Sequence, residues 1–246
     1  MKKTILIMFG LLPITLMANN QAIKKLNYNI STDYSQSDYT KGISIDADIR
    51  IPIMNYIGMG LNTNISRNES RKYDSHSNDK SLGLSLILRN SSIGQISTYF
   101  GYTMSNIYIK FDNNESMSSK PNSKNLNINA IYYFNDFDFS LNRSKSKLTS
   151  YSYDSFVGKI KDTSTYYSTS VNIAYYINNN LKISTEKNAD YSYKTNINIS
   201  YQPQVFKNSM VLFTSYYKNG NNKSYKFGLK YTFDTRVNLK DRNRKY

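Results

Sequence analysis

The run from Gly42 to Ile53 places Ile43, Ile45, Ala47, Ile49, Ile51 and Ile53 at every second position, with Ser44, Asp46, Asp48, Arg50 and Pro52 between them. A period of two puts successive side chains on opposite faces of a strand. One face is therefore entirely apolar, while the other carries carboxylates and a guanidinium. A soluble sheet buries such an apolar face in a core, whereas a barrel in a bilayer shows it to lipid. The sequence beyond the first eighteen residues contains no run of 18 apolar residues, so a membrane crossing by helix is not available to it. Only a closed β-barrel then spans a membrane, because closure pairs every backbone group.

The same alternation recurs along the chain. It is read at Leu26–Tyr34, Ile57–Ile65, Leu82–Leu88, Ile96–Met104, Leu126–Phe134, Phe137–Leu141, Tyr167–Ile177, Leu181–Thr185, Tyr193–Tyr201 and Tyr225–Phe233. Met210–Tyr217 is apolar on both faces, so its phase stays open. Asn135-Asp136 reads as a two-residue hairpin turn. The polar stretches 67–80, 110–124 and 145–165 lack an apolar period and read as long loops. They follow the third, fifth and seventh strands, while links after even strands are mostly short. About twelve strands of roughly ten residues suit the tilted strands of a membrane barrel. A secreted sandwich or solenoid is the alternative, with strands nearer five or six residues. The fold expected is all-β, an antiparallel transmembrane β-barrel of about 12 strands, with the long loops extracellular.

The start of the chain supports export. Met1-Lys2-Lys3, an apolar run from Ile5 to Met17 and then Ala18-Asn19-Asn20 read as a signal peptide over 1–18. The barrel would occupy 19–233, leaving 234–246 as a basic periplasmic tail without apolar period. There is no Cys, so no disulfide contributes to an exported fold. The net charge of +15 suits an anionic surface or nucleic acid, and export argues against nucleic acid. Twenty-four Tyr and eleven Phe fit the aromatic girdles at the two interfaces of such barrels.

Tyr225 to Phe233 reads Tyr-Lys-Phe-Gly-Leu-Lys-Tyr-Thr-Phe. Its Lys226, Gly228, Tyr231 and Phe233 resemble the C-terminal signal by which bacterial outer-membrane β-barrels are handed to the barrel assembly machinery. In that family the last strand usually ends the chain, whereas here thirteen residues follow it. The resemblance implies a bacterial outer-membrane location, with outer-membrane lipid, lipopolysaccharide and the assembly machinery as partners. A monomer is expected.

Taking the polar set as lumenal gives Asp46, Asp48, Arg50, Arg89, Asp138, Arg143, Lys182, Glu186, Lys194, Lys226 and Lys230, of which seven are basic. Charged rings in a wet lumen set ion selectivity, so a small passive channel with a mild anion preference is expected. Size and strand number resemble the small acidic-oligosaccharide porins in architecture. Alternatively the charges pair into a plug, and the barrel is a structural or surface-interaction protein whose loops bind lipopolysaccharide, host or phage. The single histidine, in Asp74-Ser75-His76, resembles the Asp-x-His of omptin proteases, which implies an acidic pair nearest to Asp46 and Asp48. Those two lie mid-strand, and a solvated loop histidine is the simpler reading. One His without Cys gives no metal set, and Asp112-Asn113-Asn114-Glu115 lacks a calcium-loop pattern. No enzyme, cofactor or metal is expected.

Overall fold

The isoleucine stripe of Gly42–Ile53 lies within a strand, Thr40–Met54, whose Ile43, Ile45, Ile51 and Ile53 point outward and are about half exposed. The computed structural model describes residues 27–54, 56–90, 92–110, 116–154, 158–190, 194–206, 209–233 and 237–245. The expected leader at 1–18 and the Asp112–Glu115 stretch lie outside them.

The strands, in chain order, are β1 Asn27–Ser37, β2 Thr40–Met54, β3 Ile57–Ser70, β4 Ser75–Asn90, β5 Gly94–Lys110, β6 Ser116–Ser119, β7 Asn122–Phe134, β8 Phe137–Asp154, β9 Gly158–Asn178, β10 Leu181–Asn188, β11 Lys194–Tyr201, β12 Met210–Asn219 and β13 Asn222–Phe233. All pairs are antiparallel neighbours, and β1 pairs with β13 to close the cylinder. β6 and β7 both pair with β5, at Ile107–Lys110 and Gly94–Met104 respectively. They form one strand interrupted around Pro121, a residue without the N–H a ladder needs. Twelve barrel strands result, as expected.

Closure is reinforced from inside. Lys226 Nζ lies 2.9 Å from Asp33 Oδ2, and Thr232 Oγ1 donates to Asn29 Oδ1 at 2.6 Å across the β1–β13 seam. With both terminal strands paired, no backbone edge faces lipid. Three glycines permit close wall packing. The Tyr99 ring lies over Gly83 and Gly101, where an added Cβ would fall 2.2 Å and 2.6 Å from ring carbons. The Phe213 ring covers Gly228 in the same way, at 2.2 Å. Register also resolves the open phase of β12. Leu212 and Tyr216 face outward opposite Leu229 and Tyr225, so Val211 and Phe213 face the lumen.

The three expected long loops are largely ladders. β3 and β4 pair out to Glu69 and His76, leaving only 71–74 as the link. β8 and β9 pair out to Asp154 and Gly158. These hairpins stand beyond the apolar belt, where neither face needs greasy side chains. Their Ser, Asn, Thr and Lys therefore carry no hydrophobic period although the backbones pair. The Asn135-Asp136 turn forms as expected, with Asn135 at φ 50°. The last described segment, Leu239–Lys245, is a helix, α1. It lies in the basic stretch where the sequence shows no apolar period. Asn238 caps it. Asn238 Oδ1 accepts from the Asp241 N–H at 2.8 Å, and Asn238 Nδ2 donates back to the Asp241 carboxylate at 2.9 Å.

Candidate functional site: a basic lumen and its C-terminal helix

The inward positions of β1, β2 and β13 bring Asp33, Asp46, Asp48, Arg50, Lys226 and Lys230 onto one arc of the wall. Asp46 accepts from Asn64 Nδ2 at 2.6 Å. Asp48 receives Arg50 Nε at 3.0 Å and Asn29 Nδ2 at 3.1 Å. Lys230 sits opposite Ser31, which sits opposite Asp46. Across the lumen Arg89 is buried at 3% exposure and donates through Nε to Gln95 Oε1 at 2.6 Å. Lys182 places its ammonium 5.4 Å from the centre of the Tyr176 ring. Glu186 lines a higher chamber with Asn172, Asn198 and Ser184.

Arg143 differs from expectation. Asp138 and Arg143 are five residues apart on β8, an odd spacing, so they cannot share a face. Asp138 faces inward; Arg143 faces outward, opposite Ile128 and Thr169. Its guanidinium donates to the Thr169 hydroxyl and lies 3.9 Å from Asp190. Lys194 opens β11 opposite Asn219. His76 stands on the outward face, with its ring 5.3 Å from that of Tyr108. The fold does not bring it to Asp46 and Asp48, which line the lumen nearer the other end. Among the described residues no cluster of three or more His, Cys, Asp or Glu is placed to hold a metal.

Two adjoining chambers lie along the lumen. The one nearer the termini has a volume of about 530 Å³ and is lined by charged groups, among them Asp48, Arg50, Arg89, Asp138 and Lys182. The upper one, about 410 Å³, is lined by Ser and Asn with Glu186. They share Ser97, Tyr99 and Asn129 on their walls, so Tyr99 projects where one passes into the other.

α1 enters the lower chamber, where Asn243 forms part of the lining. Arg244 Nη2 lies 2.7 Å from Asp138 Oδ1, its Nε lies 3.0 Å from the same oxygen, and Nη2 also donates to Phe137 O at 2.9 Å. The guanidinium stacks on Tyr133 and Tyr176, 4.9 Å and 5.6 Å from their ring centres. The Tyr176 hydroxyl donates to Asp138 at 2.8 Å and accepts from Asn243 Nδ2 at 3.0 Å. Leu239 is buried with Tyr176 and Val211. At the rim, Lys240 Nζ lies 2.7 Å from Asp136 Oδ1, its N–H bonds Asn179 O, and Gln202 Nε2 holds Val237 O. That hydrogen bond and the adjacent ammonium hold the Asp136 carboxyl below its ordinary value. The sequence carried two faint signs of this helix: the Asn238–Asp241 capping pair and the lone apolar Leu239.

No protein-family model matches this sequence, and no curated protein does. Solved structures do. The translocator domain of the autotransporter NalP from Neisseria meningitidis matches with a TM-score of 0.58 at 12% identity, covering 89% of this chain and 91% of its own. The KdgM porin in complex with disordered oligogalacturonate matches at 0.57 and 14%, covering 83% and 99%. The β-domain of the Bordetella autotransporter BrkA matches at 0.53 and 10%, covering 85% and 98%. At these identities the likeness is one of fold. Together with an outward belt of exposed Ile, Leu, Phe and Tyr, it makes this chain a bacterial outer-membrane β-barrel in architecture, with the lipid-facing surface such a location requires.

Proposed function

We propose that the chain is an outer-membrane channel for small anionic solutes, obstructed at its periplasmic mouth by its own C-terminal helix. One observation carries the reading. Arg50, Arg89 and Lys182 converge on the lower chamber against Asp48 and Asp138, and each of those carboxylates is held by an arginine. The wall thus keeps a positive excess, which favours anions in a narrow, low-dielectric passage. The start of β1 and the end of β13 face the periplasm and the β3–β4 and β8–β9 hairpins stand outside, as in other barrels of this kind. Lys226, Gly228, Tyr231 and Phe233 serve as the assembly signal, and the barrel acts as a monomer.

The ion-paired helix in the lower chamber favours a second reading, a closed structural barrel. Planar-bilayer recordings under a potassium chloride gradient separate the two. The full chain and a chain ending at Phe233 are compared. The channel reading expects a small anion-selective conductance that grows on truncation. A silent truncated barrel, or a cation-selective one, overturns it.

A further inference from the structure

The outward face holds a cluster that the lumen does not explain. Lys124 on β7 lies directly opposite Lys147 on β8, and Leu126 lies opposite Lys145. All three ammonium groups are exposed, and none has a carboxylate within ion-pair distance among the described residues. Like charges facing each other across a strand pair are destabilising, so the Lys124–Lys147 pair calls for an external counter-charge. Arg143, two residues below Lys145, is already engaged by Asp190.

Beside this cluster runs an apolar groove of about 590 Å³ between β4 and β8, whose outward lining is Leu82, Leu84, Phe100, Tyr102 and Leu126. The register joins the two: Tyr102 sits opposite Lys124 and Phe100 opposite Leu126. Height places the lysines at the polar boundary. Lys145 and Lys147 are eight and ten residues above Phe137 in the aromatic rim near the termini. At about 3.4 Å per residue and roughly 40° of tilt, that is about 21 Å and about 26 Å. The apolar band of such barrels is about 25 Å tall. At the matching height on β13, eight residues from Phe233, stands Tyr225, its ring 5.3 Å from that of Tyr216 and tilted to it. The β12–β13 rim carries its own facing pair above those tyrosines, Lys218 opposite Lys223; what sets the β7–β8 side apart is that its three lysines border the apolar groove.

We propose that Lys124, Lys145 and Lys147 dock the phosphorylated headgroup of an outer-leaflet glycolipid whose acyl chains lie in the Leu82–Phe100–Leu126 groove. The inference rests on the outer-membrane orientation given above and is independent of conduction. Charge complementarity selects the occupant: three ammonium groups match phosphate, and the groove below them matches acyl chain. Each lysine near an anionic lipid surface contributes attraction.

The full-length protein, refolded in zwitterionic detergent, is titrated with lipid A, phosphatidylcholine of matched chain length and inorganic phosphate. Saturable binding of lipid A is expected, weakened at least tenfold in Lys124→Gln/Lys145→Gln/Lys147→Gln. The triple variant Lys41→Gln/Lys218→Gln/Lys223→Gln removes equal charge on the outward rim, including the facing pair Lys218–Lys223, which does not line the groove; it should bind within twofold of the unaltered protein. Equal loss in both variants, equal binding of phosphatidylcholine, or phosphate binding as tightly as lipid A would each overturn the proposal. Because lipid A binding is read without conductance, a silent channel with intact binding would sink the channel reading alone.

Discussion

The Arg244 guanidinium and the Asp138 carboxylate meet at 2.7 Å although 106 residues separate them, and both side chains are nearly excluded from solvent. This pair fastens the end of the chain inside the barrel that the same chain has just closed. Removing one partner of a buried ion pair costs about 3–5 kcal/mol, because the other charge is left behind. Arg244→Ala should therefore shift α1 out of the lumen. Single-channel conductance should rise severalfold, and trypsin should cut at Lys240 and Arg242 faster, while heat-modifiable gel mobility stays unchanged. Unchanged conductance and cleavage would mean that α1 is held by other contacts.

The rim pair responds to pH in a defined direction. Asp136 has its pKa lowered from 3.8 by its hydrogen bond with Lys240. A lowered carboxylate stabilises the docked helix fully above its ordinary value and loses that contribution as pH falls through the lowered one. Conductance should be level from neutrality to about pH 5 and climb below about pH 3.8. Asp136→Asn should remove this pair's part of the climb. Asp136 is exposed, so the effect should shrink in high salt. An identical acid profile in the Asn variant would assign the climb to other groups.

Neighbouring positions on one strand should differ sharply in tolerance. Ile45→Lys and Ile197→Lys place a charge against hydrocarbon, at about 2–4 kcal/mol near the midplane. Both residues are outward and exposed. Ser44→Lys and Asn196→Lys point into the lumen, Ser44 being within 2.7 Å of Asp33, and should be much milder. Urea unfolding in detergent or lipid measures the difference. Equal loss at both positions of a pair would contradict the facing.

Gly228 should be intolerant of even one carbon. A Cβ there would lie 2.2 Å from the Phe213 ring, and overpacking of this kind costs about 1–3 kcal/mol. Gly228→Ala should lower the folded yield on refolding, and Phe213→Ala in the same chain should restore it. Without rescue, the glycine serves another need, such as its place in the proposed assembly signal.

That signal is tested in cells. Truncation after Phe233 should leave membrane-inserted yield near normal, since the seam partners Asp33 and Lys226 remain. Tyr231→Ser/Phe233→Ser should lower it strongly. The reverse order would place the signal beyond Phe233.

Much of this barrel is written into single strands. The alternation Ile43, Ile45, Ala47, Ile49 is local, because lipid demands apolar groups at every outward position and the pleat repeats every two residues. Strand number, the Asn135-Asp136 turn and the final strand were legible for that reason. Where that demand lapses, legibility lapses with it. The distal ladders of β3–β4 from Arg67 to Lys80 and of β8–β9 beyond Lys147 carry no period because water faces both sides of them.

Tertiary structure alone decided the rest. Arg143 stands outside because β8 alternates from Asp138 onward, and only neighbouring strands fix which parity faces lipid. α1 becomes helical because the lumen offers Asp138, Tyr133 and Tyr176 to Arg244 and a buried seat to Leu239. Seven residues are too few to hold a helix in water, so its stability comes from groups a hundred residues away. The Lys124–Lys147 pair exists only once β7 lies against β8. Alternation is a property of a strand, whereas a lumen, a plug and a lipid-facing cation cluster are properties of register, which closure of the barrel sets.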